Sequence, residues 1–179
     1  MIGDLHWVPA MTRTDLMAAP VTAMLASWEA ASRVMVAEID PDVADTADLV
    51  RAHGVPASAS ANCVVVAGRR DGQLRVAACV VLATTRADVN TVVRKALDVR
   101  KASFLPMDEA VASSSMEYGG ITPVGLPDGW RLLVDAAVLE VPVAVIGSGV
   151  RRSKLAMPGA DLASLPGAEV VAGLGRPVS

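Results

Sequence analysis

Apolar residues at Val21, Met24, Leu25, Trp28, Ala31 and Met35 recur at helical spacing behind Pro20, a residue suited to a first helical turn. The pattern predicts an amphipathic helix from Pro20 to about Ile39, within an N-terminal helical segment covering 16–39. Asp40-Pro41 breaks it. Asp45, with Asp48 three residues on, resembles a capping box, and Leu49, Val50 and Ala52 carry a short helix to Gly54. Two Val-rich runs, Asn62 to Ala67 and Gln73 to Ala83, flank an Asp71-Gly72 turn and predict a β-hairpin. Neither run alternates cleanly, so both faces of the hairpin are expected to be covered.

Farther along, Thr85 followed by Asp88 predicts a second helix, with Val89, Val92, Val93, Ala96 and Leu97 on one face. A strand is expected from Ala102 to Leu105, a short helix from Met107 to Ser113 and a turn-rich loop from Glu117 to Pro127. Strands follow at Arg131 to Asp135 and Val141 to Ile146, then a short helix at Asp161-Leu162 and a strand from Glu169 to Ala172. The first dozen residues and the tail from Gly173 read as loose. Helices and strands alternate, yet at least one hairpin is antiparallel. The expected fold is therefore α/β: a mixed, partly closed, barrel-like sheet flanked by helices. A chain of 179 residues supports one compact core, so a single domain over 1–179 is expected.

Composition sharpens this picture. Fifty-three per cent of residues are apolar but only Trp7, Trp28, Phe104, Tyr118 and Trp130 are aromatic, so the core must be built from Val, Ala and Leu. No stretch approaches the roughly 20 uninterrupted apolar residues of a membrane span, and the N-terminus lacks a basic-then-apolar export pattern. The expectation is a cytoplasmic protein with no membrane partner. A net charge of −3 without any basic run argues against coating nucleic acid through many phosphate contacts, but leaves open gripping the end of an RNA. Thirteen of the sixteen basic residues are arginine; the lysines are Lys95, Lys101 and Lys154. Cys63 and Cys79 sit in Val/Ala-rich runs and read as buried free thiols, and no Cys/His spacing makes a metal site, so neither metal nor cofactor is expected.

The candidate chemistry lies in the loops. Paired glycines in Gly119-Gly120-Ile121-Thr122-Pro123 permit close backbone approach while Pro123 stiffens the exit, so successive N–H groups can converge on one oxygen, as in an oxyanion hole. The pentapeptide taken alone reads first as a tight turn between strands, since Gly/Pro clusters are usually punctuation. Gly147-Ser148-Gly149, directly after an apolar strand, is a second candidate nest and by itself is a turn. Asp135, at a strand end, is either hydrogen-bonded to backbone or lines a site. His6 and His53 are poorly placed to serve a Ser-His-Asp or Cys-His device.

Taken together, the short helix ending in Gly-Val-Pro, the Val-rich hairpin, Asp88-Val89-Asn90 through Leu97, Arg100-Lys101-Ala102-Ser103-Phe104, the Gly-Gly-Ile-Thr-Pro-Val-Gly loop, Leu133-Val134-Asp135 and the Gly-Ser-Gly turn resemble the YbaK and prolyl-tRNA-synthetase-associated family of aminoacyl-tRNA editing deacylases. The resemblance runs from about Asp45 to Ala172. It implies hydrolysis, in trans, of the ester joining a mischarged amino acid to a tRNA 3′ end, with that end as partner and a synthetase as a second candidate partner. It also implies that no protein side chain attacks: the terminal ribose hydroxyl or an ordered water participates. Gly119, Gly120, Ile121 and Thr122 would hold the carbonyl oxygen and the substrate. Pro123, Gly147, Ser148 and Gly149 would add contacts, and Asp135 would shape the pocket or bind the amino group.

One position departs from the family. Asn62 stands where many members begin the first strand with a lysine; it can hydrogen-bond a carbonyl, a ribose hydroxyl or a water, but it carries no charge. Two outcomes stay open: an editing enzyme with a retuned pocket, or a catalytically weak or inactive module that binds aminoacyl-tRNA, a synthetase or a nucleotide-like ligand. Lys154, with Arg151 and Arg152, reads by default as a surface charge cluster, and is the lysine best placed to face the RNA end.

Overall fold

A computed structural model describes residues 2–178. Its strands form a four-stranded sheet, a five-stranded sheet and a two-stranded ribbon. The N-terminal arm is ordered into this scheme rather than loose. Strand β1 (Val8–Pro9) pairs antiparallel with β2 (Met35–Glu38), and Leu5, Trp7 and Ala10 are buried. The expected long helix is present only as α1 (Ala19–Leu25), followed by a 3₁₀ turn at Glu29–Arg33. The helical periodicity is cut short by tertiary contacts. Trp28 donates its Nε1–H to Ser164 at 3.1 Å, and Met35 to Glu38 are drawn into a sheet that buries Val36 and Ala37.

Helix α2 (Thr46–His53) ends as expected at Gly54, whose φ of 63° is the left-handed cap that glycine adopts without strain. Strands β3 (Ala61–Arg70) and β4 (Gln73–Leu82) form the hairpin, with Asp71 and Gly72 both at positive φ in the two-residue turn. The predicted helix start at Thr85 is instead β5 (Thr85–Ala87). Asp88 then caps a helical turn at Val89–Val93 by accepting from the Thr91 amide, and the helix continues as α3 (Arg94–Ala96). Strand β6 (Ala102–Phe104) pairs with β3, and α4 (Met107–Ser114) follows.

Strand β7 (Arg131–Asp135) inserts parallel beside β4 and leads into α5 (Ala136–Leu139). Next come β8 (Ala144–Gly147) and β9 (Ser153–Met157), an antiparallel pair whose second member the sequence pattern did not announce. Strand β10 (Ala168–Val171) pairs parallel with β7, and β11 (Gly175–Pro177) pairs antiparallel with β5. The described part of the tail, from Gly173 to Val178, is thus also held, with Leu174 fully buried, while Ser179 lies outside the described residues.

The sheet orders are β1-β2-β9-β8 and β10-β7-β4-β3-β6. They meet at a single parallel bridge, Ser60 to Val145, backed by the Val145 amide donating to the Ala59 carbonyl at 2.8 Å. The architecture is the expected mixed α/β arrangement, with the sheets joined at one corner and not closed into a barrel. The main core, including Leu25, Val36, Val80, Val134, Ile146 and Leu155, is drawn from both large sheets and α1. No helix among the described residues is long and apolar enough to cross a membrane.

Candidate functional site

Strand β3 lies between two neighbours that do not meet. Beyond its bridge to β8 at Ser60, its outer edge finds a partner again only at Val65, whose carbonyl accepts from the Leu105 amide at 2.9 Å, and at Val66 to Gly68 along β6. Because peptide groups of an antiparallel strand alternate edges, Ala61 and Cys63 turn theirs to this outer side; the Ala61 amide is taken up by the bridge to Val145, whereas Cys63 has no strand partner there among the described residues. The gap is a cavity of about 340 Å³, within the range of small-molecule sites. Its walls come from β3, β8, β9, the start of α2, the segment after β6 and the glycine loop.

Lys154 enters this cavity from β9. It is only 9% exposed and forms none of the salt bridges or side-chain hydrogen bonds among the described residues. Burial lowers its pKa to about 8, against the opposing pull of Asp45, while Arg151 lowers it further. The surface-cluster reading of Lys154 therefore gives way to a buried ammonium on a strand. What hid it was the Arg151-Arg152 pair before it, which made the segment look solvated. Arg152 does stay exposed, whereas Arg151 packs back over Gly119 and donates to the Pro41 carbonyl at 2.8 Å.

Asn62 lines the same cavity, and its Oδ1 accepts from the Thr46 hydroxyl at 3.1 Å, which ties the strand to the first turn of α2. Gly119 and Ile121 also line it, and their amides donate to no protein acceptor among the described residues. Gly120 differs. It is buried, and its amide is committed to the Glu117 carbonyl at 2.9 Å while its carbonyl accepts from the Gly149 amide at 2.7 Å. The two glycine turns are packed against each other: a Cβ at Gly147 would lie 2.5 Å from the Gly120 oxygen, and one at Gly120 would lie 2.7 Å from the Val150 carbonyl oxygen.

Gly147 alone of that turn reaches the cavity. Ser148 is buried behind it, its hydroxyl 2.6 Å from that of Ser153. Thr122 is fully buried outside the cavity lining, with a hydroxyl that finds no partner among the described residues. Pro123 lines a separate cleft of about 170 Å³. Asp135 also lies away from the cavity, where its Oδ2 accepts from the Gly175 amide at 3.1 Å and pins the C-terminal strand. Of the two readings open for Asp135 in the sequence, its contact is the backbone-bonded one.

The cavity holds no activated nucleophile. Cys63 lines it, but burial pushes its thiol well above the ordinary range, with Cys79 adding to the effect, so the reactive thiolate is suppressed. His53 points its Nδ1 at Asp4, 2.9 Å away, and His6 is exposed; neither lines the cavity. What the site does offer is a cation, free amide donors, a neutral amide side chain and an open strand edge, around apolar walls such as Val65, Leu105 and Ile121. These are means of binding and polarising a carbonyl-bearing ligand rather than attacking it.

A mixed α/β scaffold with such a cavity at the junction of its sheets defines a small-ligand site on a helix-flanked platform. Residues 40–165 match the aminoacyl-tRNA editing domain, and the chain belongs to that family. Among solved structures, it is similar to one provisionally described as a trans-editing enzyme for prolyl tRNA synthetase, at 18% identity and a TM-score of 0.73, covering 88% of this chain and 95% of that one. A scaffold protein used for computational epitope grafting gives 18% identity and a TM-score of 0.74, with 89% and 97% covered. A hypothetical protein gives 23% and 0.65, with 79% and 90% covered. At these identities the structures bear on the fold.

Proposed function

We propose that the protein hydrolyses, in trans, the ester of a mischarged aminoacyl-tRNA, taking the aminoacylated 3′ end into the cavity between β3 and β8. The observation that carries this reading is the unpaired, buried Lys154 in a cavity whose first strand bears Asn62. The cation missing from β3 is supplied from β9. In the reaction, a water adds to the ester carbonyl, with the neighbouring ribose hydroxyl helping to orient it and relay its proton; the bond from that carbon to the esterified ribose oxygen breaks, and the proton passes to that leaving oxygen, which frees the amino acid as its carboxylic acid. Negative charge develops on the carbonyl oxygen, where the Gly119 and Ile121 amides and the Lys154 ammonium stabilise it. Asn62 orients the ribose or the water, and Gly147, having no Cβ, lets the backbone of the glycine loop close against β8 at the cavity wall.

A deacylation assay over a panel of mischarged tRNAs tests this. Turnover of at least one pair that is lost in Lys154→Met supports it, and absence of turnover on every pair at high enzyme concentration overturns it. A second reading, a module that binds the aminoacylated end without efficient turnover, is favoured by one observation: the Gly120 amide is already bonded to Glu117, which leaves the loop fewer free donors than its sequence suggests. Binding of the RNA end without turnover selects that reading.

A further inference from the structure

The chain has one phenylalanine and one tyrosine, and both sit on the rim of the same cavity. Phe104 is 62% exposed and Tyr118 is 58% exposed, whereas Trp7 and Trp28 are buried. Leaving large aromatic rings in water forgoes the burial that normally stabilises them, and here two of only five are left out at one place. They come from different elements: Phe104 ends the edge strand β6, and Tyr118 directly precedes the glycine loop. Tyr118 is also held in orientation. The Arg151 guanidinium lies 5.5 Å from its ring centroid, within cation–π range, and is itself anchored to the Pro41 carbonyl.

A rim of this kind has a definite complement. Unpaired nucleobases stack on aromatic faces whatever their sequence, and the nearby cations, Arg151, which also faces Asp45 at 3.9 Å, and Lys154 deeper in the cavity, favour an anionic strand. An apolar peptide would gain from the rings but not from the cations. We propose that Phe104 and Tyr118 form a stacking platform that receives the unpaired terminal bases of the RNA, so that the aminoacyl group is delivered into the cavity behind them. This rests on the reading of the cavity as an aminoacyl-tRNA site. It also accounts for how a chain of net charge −3 without a basic run takes hold of RNA, since stacking replaces part of the phosphate contact.

The test measures affinity for a hairpin RNA with a short single-stranded 3′ tail ending in CCA, beside the same hairpin with an abasic tail that keeps the phosphates. Phe104→Ala and Tyr118→Ala are each expected to weaken intact-tail binding about tenfold while leaving abasic-tail binding and the melting temperature unchanged, and Phe104→Trp to retain affinity. Alanine variants that keep the full preference for the intact tail overturn the platform, and hydrolysis of a mischarged tRNA by the unsubstituted protein then leaves the editing reading standing. An unsubstituted protein that neither binds the tail nor hydrolyses any mischarged tRNA overturns both.

Discussion

The cation of the site is a single residue, and its placement makes a sharp prediction. Lys154→Met is expected to lower deacylation about 10- to 100-fold, the usual worth of a hydrogen bond to a charged group. Asn62→Lys in the unsubstituted background sets a second ammonium in the cavity beside Lys154 and is expected to bring no gain. In the Lys154→Met background the same change restores the cation from β3 and is expected to recover activity. Steady-state kinetics on the four proteins checks this, and an Asn62→Lys protein that is faster than its parent argues that Lys154 does not fill the role. Gly120 makes a contrasting case. A Cβ there would lie 2.7 Å from the carbonyl carbon and oxygen of Val150, so Gly120→Ala is expected to destabilise by about 1–3 kcal/mol through overpacking. Since the Gly120 amide is held by Glu117, deacylation per folded molecule should change little; thermal melts and kinetics on one preparation read both effects.

At the level of elements, the site depends on segments that contribute nothing to its lining. Strand β9, which carries Lys154, pairs on one side with β8 and on the other with β2, where Ala37 is the register partner of Lys154. Residues 2–39 lie outside the family match, yet β2 is the neighbour that keeps this lysine's strand in the sheet. At the other end of the chain, Asp135 links β7 to β11 through the Gly175 amide, and the Arg176 side chain pairs with Asp88. Asp135→Ala leaves that part-buried amide without its acceptor and is expected to cost about 1–3 kcal/mol. Urea unfolding should show the loss while the folded fraction keeps its deacylation rate. A large fall in rate without a fall in stability would return Asp135 to the site.

For the whole molecule, pH acts on stability through opposed groups. Lys154 titrates at about 8 in the folded protein and at 10.5 in the absence of burial, so between those values the unfolded chain holds a proton that the folded one lacks. Its contribution to stability therefore rises with pH through this window, by about 3 kcal/mol at most, and is lost as pH falls toward 8. The thiols of half-buried Cys63 and buried Cys79 run the other way. Cys79 is pushed up to about 12 from 9.0 and Cys63 is also raised, so stability they lend below pH 9 drains away as the unfolded thiols ionise. Denaturant titrations of the parent and Lys154→Met are expected to converge as pH rises from 8 to 10.5, because the variant lacks the buried charge; curves that stay parallel would show that the lysine is not desolvated.

What the sequence determined by itself were the features whose cause is local. The Asp71-Gly72 turn needs two positive-φ residues, and Gly54 stops α2 with a conformation that glycine adopts freely. The covered hairpin, the short helices and the glycine loop beside the cavity belong to the same class, as does the order of elements that carried the family resemblance. The tertiary structure decided whatever needed a distant partner. Met35–Glu38 continues a helical pattern in the sequence but is held as a strand by β1 and β9, and Thr85–Ala87 is a strand because β11 returns to it from the end of the chain. Lys154 reads as part of a charged run until β2 and β8 close on either side of it. A strand, unlike a helix, satisfies its backbone groups only on other segments, so neither its existence nor which side chains it buries is written in its own residues alone.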